Sequence, residues 1–299
     1  ASRSLSEAAA RLAMAAHVRV VAAVPAWAAQ RGLGDAGAEL LKRGLSRGRI
    51  TPKPPLDLSY SALDAYERCP ACYYLKFVLR LPEEERRETQ LGTVVHDTLE
   101  KFVGSCRSAE SEGRLPPSID ALRKMGREML MLHEPDAGAD DVRRLDDLLD
   151  HYAREFHDPG AETMETERVV HFEIEHAGHK HRMTAKIDRI DRAPAGFRII
   201  DYKTGGAWKD LRAPKKTDLQ MGIYAMALSR LYPDAPMAGT AEYWLLAGGQ
   251  RGVIGLDSLD LAKIREDIGE LIDGILAGEF GGKNNCRGPC KTFGLTSRG

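Results

Sequence analysis

The sequence predicts an α/β fold in which a small mixed β-sheet is flanked by helices, with a helical appendage in front. Three observations predict it. Between residues 59 and 157, apolar residues recur at helical spacing through successive segments. The period then changes to alternation over "ERVVHFEIEH", "KHRMTAKIDRID" and "FRIIDYKT", joined by the short turns "AGH" and "APAG". That is a three-strand meander. A helical stretch, "TDLQMGIYAMALSRLY", then leads into a returning strand, "GTAEYWLLA", which adds to the same sheet.

Each element has a local reason. Residues 5–46 carry Ala-rich helical patterns broken by glycine. "RGRITPKPPLDLS" is Pro-rich and basic, so it reads as a linker. Residues 1–52 are therefore expected to form a helical appendage with its linker, and residues 53–299 the main domain with a Cys-containing tail. Ser59 and Ser61 stand where an N-cap is wanted, and "SALDAYERCPACYYLKFVLRL" follows as a helix interrupted at Pro70. "TQLGTVVHDTLEKFVGS" is a second amphipathic helix. Residues 117–157 continue helical, with a loop at "HEPDAGAD". "RGVIGL" is a further strand, and a last helix spans about 258–277. No internal repeat is seen.

Composition narrows the function classes. The chain has 299 residues, 29% of them charged and 43% hydrophobic, with a formal net charge of −1. Global charge does not mark a nucleic-acid binder, so a DNA site has to be a local patch. No apolar run reaches membrane-spanning length, and the opening lacks the layout of a secretion signal. The first residue is Ala1, which suggests a processed product or a part excised from a longer protein. Five cysteines in a chain of this length do not make a disulfide scaffold, and a reduced, cytoplasmic setting is expected. There is no Gly-x4-Gly-Lys-Ser/Thr loop, no Gly-x-Ser-x-Gly and no His-Glu-x-x-His.

Chemistry concentrates at "IIDYKTG". Strand alternation has period two, so Asp201 and Lys203 share one face. Asp188 lies on the preceding strand, and antiparallel neighbours bring such residues together. Two close carboxylates repel unless a divalent cation lies between them. Magnesium or manganese there would activate water against a phosphodiester, while Lys203 orients or deprotonates that water or stabilises the pentacovalent charge. A plain surface Asp–Lys pair is the alternative that "DYK" leaves open, and a satisfied helix histidine is the alternative for His96.

The ordered set of motifs resembles the RecB-like branch of the PD-(D/E)xK nucleases. "LSYSALDAYERCPACYYLKFVL" is similar to the family's opening helix, and "LGTVVHDTLEKF" to its Gly-x-x-x-His helix. "AKIDRID" and "IIDYKTG" resemble its two acidic strands, and "QMGIYAMAL" its Gln/Tyr helix. The resemblance covers about residues 56–290 and implies a restriction-endonuclease-like core. It implies that His96, Asp188 and Asp201 hold Mg2+ or Mn2+, with the Tyr202 backbone carbonyl as a further ligand. Lys203 is then the catalytic lysine, and Gln220 and Tyr224 sit beside it. Asp191 is expected on the opposite strand face as a salt-bridge or turn residue. Glu173 and Glu175 are expected to face solvent or to stand behind the ligands.

The resembled family often carries a 4Fe-4S cluster held by one Cys in the opening helix and three near the C-terminus. Here the tail holds Cys286 and Cys290, while Cys72 joins Cys69 in the opening helix. Four thiolates from two distant segments suit either Zn2+ or 4Fe-4S. Cys106 is expected in a core. His171, His176, His179 and His181 crowd one hairpin and are read as solvated. Trp208, Lys209, Arg212, Lys215 and Lys216 follow Lys203 closely and are expected to bind nucleic acid through phosphates and base stacking. The function expected is a metal-dependent DNase, acting on single-stranded DNA during repair or recombination. A helicase motor is the partner that the resemblance implies. The alternatives are a catalytically silent DNA-binding domain and an RNA-directed nuclease.

Overall fold

The computed structural model describes residues 50–80, 87–205, 210–283, 285, 286, 288 and 290. The helices expected within residues 5–46 lie outside the described residues, as do Trp208 and Lys209. A six-stranded mixed sheet runs in the order β1 (Asp57–Ser59), β3 (His179–Ala193), β4 (Gly196–Lys203), β5 (Gly239–Leu245), β6 (Gln250–Gly255). β2 (Glu162–His176) pairs with β3 off that path. The expected meander is β2–β3–β4. β4 and β5 are parallel, joined through the helix α6 (Leu219–Leu231), and β5 and β6 are antiparallel. This is the mixed α/β architecture that the alternation and the intervening helix predict.

The described chain falls into two units. The first takes residues up to 80, the hairpin tip Glu173–Arg182 and the chain from Glu266 onward. In it, α1 (Tyr60–Arg68) starts at Ser59, whose side chain accepts the Ala62 N–H. The helix stops at Cys69, where Pro70 opens the short α2 (Pro70–Tyr73). Tyr66, Tyr73, Tyr74 and Phe280 pack ring against ring and fasten the tail to the opening helices. One segment read as linker does more than link. The Leu56 carbonyl accepts the Arg182 N–H, Leu56 and Leu58 are buried, and β1 caps the sheet edge.

The second unit holds residues 87 to Phe172 and Met183–Arg265. Its helices are α3 (Arg87–Ser111), α4 (Ile119–His133) and α5 (Ala139–His151). Ser118 caps α4 through the Ala121 N–H, with Asp120 in the first turn. Asp141 reaches back to the Gly138 N–H at the start of α5. The apolar faces meet in one core that includes Leu99, Phe102, Leu122, Leu145, Tyr152 and Trp244. Each fully buried leucine there contributes about 2 kcal/mol. A Cβ on Gly126 would stand 2.5 Å from a Leu149 methyl, so α4 lies directly against the leucines of α5 and Leu149 would have to shift for any larger residue. The last helix, α7 (Leu261–Ala277), begins in this unit and ends in the other.

Candidate active site

β3 and β4 place the two acids. Their antiparallel register pairs Arg189 with Ile200, so the next step sets Asp188 opposite Asp201. There the ladder gives way to a side chain: Asp188 Oδ2 accepts the Tyr202 N–H at 2.7 Å. Both acids are buried, at 7% and 2% exposure. A buried carboxylate without partners is costly, and Asp201 has three. Lys203 Nζ lies 2.7 Å from its Oδ2. Gln220 Nε2 and Tyr224 OH donate to its Oδ1 at 2.6 and 3.1 Å. Gln220 also accepts from Lys203 Nζ at 3.0 Å, so one amide fixes both the acid and the amine.

Helix α6 brings in Gln220 and Tyr224 because positions four apart share a face. Asp218 caps this helix by accepting the Met221 N–H, and the Tyr243 hydroxyl donates to the same carboxylate at 2.8 Å. Tyr243 stands beside Asp201 in the β4–β5 register, and Lys203 Nζ lies 5.4 Å from its ring centre. α6 sits close to the first turn of α7, since a Cβ on Gly222 would come within 2.4 Å of Ile264.

His96 approaches from α3. A carbonyl can only accept, so its Nε2 donates to the Tyr202 carbonyl, at 3.1 Å. Its Nδ1 faces Asp188 Oδ1 at 3.4 Å and Glu167 Oε1 at 3.7 Å. Burial would lower the imidazole pKa. The charge and hydrogen bond of Asp188, then Glu167, outweigh it and raise the pKa to about 10. Burial likewise opposes ionisation of Glu167, but His96 and Lys186 hold its carboxyl below the usual range. For Asp201, burial pushes the pKa up, Lys203 pulls it down and Asp188 pushes it up again, with a net rise.

One ligand atom each from His96, Glu167 and Asp188 lies within 4.8 Å of the others. A nitrogen and two carboxylate oxygens this close fit a divalent cation. His96 lines a cleft of about 1090 Å3, bounded also by Arg144, Asp147, His151, Lys186 and Thr204–Gly205, among others. The family model described as the PD-(D/E)XK nuclease superfamily matches residues 57–292. This chain belongs to the PD-(D/E)XK nuclease superfamily. The nuclease is also similar to the solved structure titled "Crystal structure of SSO0001", at 19% identity, covering 84% of this chain and 85% of that one, with a TM-score of 0.33. A likeness that loose carries no structural argument.

Several sequence expectations concern residues elsewhere in this nuclease. Asp191 points away from Asp188 and pairs with Arg189 at 2.6 Å and Thr163 at 2.9 Å, fully buried. Glu173 and Glu175 face Lys180 at the exposed hairpin tip. His171 meets Thr184, His176 meets Asp273, and His181 is fully buried with its Nδ1 accepting the Leu56 N–H. The solvated reading therefore fails for His181, whose buried ring is held by the Leu56 N–H. Among the described residues these histidines form no metal-holding group. Arg212, Lys215 and Lys216 are exposed on the stretch before α6. Glu167 escaped the sequence reading. It sits in the polar opening of β2, where nothing in the pattern separates it from Glu162 and Glu165.

In the first unit the four expected cysteines meet. Cys69 and Cys290 Sγ lie 3.6 Å apart, Cys72 and Cys286 Sγ 3.5 Å apart, and all four fall within 4.8 Å of one another. The Gly288 N–H points at Cys286 Sγ at 3.3 Å. Burial alone would raise the Cys69 thiol, but the backbone groups of Lys283 and Cys72 and the neighbouring thiols bring it to about 7. Burial pushes Cys72 up to about 12. Four sulfurs gathered this way suit a thiophilic metal. Cys106 stands apart, packed against the core of the second unit.

Proposed function

We propose that this chain is a Mg2+- or Mn2+-dependent deoxyribonuclease that hydrolyses phosphodiester bonds in single-stranded DNA during end processing. The observation that carries the reading is the continuous network Lys203–Gln220–Asp201–Tyr224, set beside Asp188 and His96. His96, Asp188 and Asp201, with the Tyr202 carbonyl, are the proposed cation ligands. When bound, the cation activates water toward phosphorus and offsets charge on the phosphate oxygens. The protein's own part is to hold Lys203 in one rotamer. Asp201 and Gln220 do so, leaving the ammonium available to the pentacovalent phosphate. Tyr224 keeps Asp201 aligned through its hydroxyl.

The substrate proposal rests on the cleft. Its volume of about 1090 Å3 is at the upper end of small-ligand sites (~300–1,000 Å3), which suits the nucleotides of one strand and not the breadth of a duplex. Arg144, His151 and Lys186 supply donors along it. Trp208, Lys209, Arg212, Lys215 and Lys216 are proposed as further phosphate and base contacts. A helicase motor, in the same polypeptide or complex, is the proposed partner. A reduced, cytoplasmic setting suits the free thiols of all five cysteines.

The cysteine group is proposed to hold one Zn2+. A tetrahedral Zn–S bond of about 2.3 Å separates the sulfurs by ~3.8 Å. The pairs at 3.5 and 3.6 Å support that spacing. A four-iron cluster gives each thiolate a different iron and spreads them further. Elemental analysis and a visible spectrum test this: zinc without a brown absorption band is expected, and iron with such a band refutes it.

The test of function is Mn2+-supported digestion of end-labelled single-stranded, duplex and RNA oligonucleotides. Single-stranded DNA is expected to be cut, and both Lys203→Ala and Asp201→Ala to retain binding without cleavage. Intact DNA throughout would sink the enzymatic reading.

A further inference from the structure

We infer that Glu167 is a ligand of the active-site cation, seated with His96 Nδ1 and Asp188 Oδ1. The inference rests on the nuclease reading and extends its ligand set by a residue that neither the sequence pattern nor the resemblance supplies.

Three observations carry it. First, the ring nitrogen facing the acids is Nδ1. His96 Nε2 is committed to the Tyr202 carbonyl, so Nδ1 is the atom turned toward Asp188 Oδ1 and Glu167 Oε1. A cation bound there takes the place of the proton that Nδ1 otherwise shares with the two acids. One ligand atom from each of the three residues then lies within 4.8 Å of the others, a spacing that fits a divalent cation in place of that proton.

Second, Asp201 is differently occupied. Its oxygens take Lys203, Gln220 and Tyr224, whereas Asp188 Oδ1 and Glu167 Oε1 both turn to His96. The acid beside the imidazole and Asp188 is Glu167.

Third, the fold goes out of its way to put Glu167 there. Glu167 has φ of +48°, a left-handed conformation that non-glycine residues seldom adopt inside a strand. The burial alternation of β2 shifts by one residue across it. Thr163 is buried before it, and Val170 and Phe172 after it. A one-residue shift of this kind is a β-bulge, and bulges re-aim side chains. Here the side chain becomes only 8% exposed, turned to His96 and Lys186, both of which line the cleft. Lys186, on the same face of β3 as Asp188, pairs with Glu167 Oε2 and leaves Oε1 turned to the imidazole.

The competing role for Glu167 is structural, as a counter-ion to Lys186 and to a protonated His96. Mn2+ binding separates the two. The intact protein is titrated with Mn2+ and free Mn2+ is read by electron paramagnetic resonance, with thermal melting of each variant recorded without metal. Glu167→Gln keeps the shape and removes the charge. It is expected to lose about 10–100-fold in Mn2+ affinity, the range seen even for residues just behind metal ligands. Lys186→Met frees the second oxygen of Glu167 and is expected to bind Mn2+ several-fold more tightly, which also covers the case in which Glu167→Gln fails to fold.

Wild-type affinity in Glu167→Gln overturns the inference, as does weakened binding in Lys186→Met. If Asp188→Asn abolishes Mn2+ binding while Glu167→Gln leaves it unchanged, the nuclease reading stands and this inference alone falls. If the wild-type protein binds no Mn2+, both fall together.

Discussion

Lys203 illustrates how little freedom the site leaves a single side chain. It touches Asp201 and Gln220 and lies against the Tyr243 ring, so its ammonium has one place to be. Lys203→Ala is expected to lower cleavage by at least ~100-fold, measured in single-turnover digests of the folded protein, and also to lower the melting temperature because the buried Asp201 loses its counter-ion. Arg189 shows the same economy on the other face of β3. It is 3% exposed, donates to Asp191 and Tyr152, and balances an acid that is itself fully buried. Arg189→Met is expected to cost about 3–5 kcal/mol in a denaturant melt, because Asp191 keeps its charge and loses its partner. Asp201 and Lys203 were legible as a pair because strand periodicity alone puts them on one side. Glu167 was not. A bulge is a choice the backbone makes when two strands meet, and the alternation on either side of it reads normally.

Among the elements, α6 and the β2–β3 hairpin carry the clearest consequences. α6 holds Gln220 and Tyr224 only while Gly222 lets it lie against Ile264. Gly222→Val is expected to destabilise by about 1–3 kcal/mol and to reduce cleavage in parallel, since the helix has to move outward. The hairpin tip carries His181, fully buried and accepting the Leu56 N–H. Burial, then the charges of His176 and His179, hold its pKa below the ordinary value of 6.5. A folded pKa lower than the unfolded one means the stabilisation is complete above about 6.5 and is lost as pH falls through the lower, folded value. His181→Gln, which can still accept the Leu56 N–H, is expected to flatten the fall in melting temperature between about pH 6.5 and 5. The meander, α6 and the returning β5 were all readable from periodicity. β1 was not, because three residues are too few to show a period and their ladder partner lies some 125 residues away, as Leu56 and His181 do.

For the molecule as a whole, the cysteine group is the longest-range constraint. Its two sulfur pairs join residues 221 and 214 positions apart. A metal there ties the tail to the opening helices, so metal binding contributes to folding. Stripping it with a thiophilic chelator, or Cys72→Ser with Cys286→Ser, is expected to lower the melting temperature and expose the tail to limited proteolysis. Mn2+-dependent cutting by the folded fraction should persist, because no cysteine belongs to the Asp188–Asp201 centre.

Period-two and helical spacing, read locally, were enough to define the fold class, the order of the elements and the face shared by Asp201 and Lys203. Motif order was enough to point to the family. What needed the folded chain was convergence. His96 meets Asp188 only because α3 packs on the sheet beside β4, and Glu167 joins them only because β2 bulges. The four sulfurs meet only because Phe280 packs among the tyrosines of the opening helices. Local sequence sets which way each side chain points along its own element. Which element it then faces depends on burying apolar surface between segments far apart in the chain, and that balance is struck only in three dimensions.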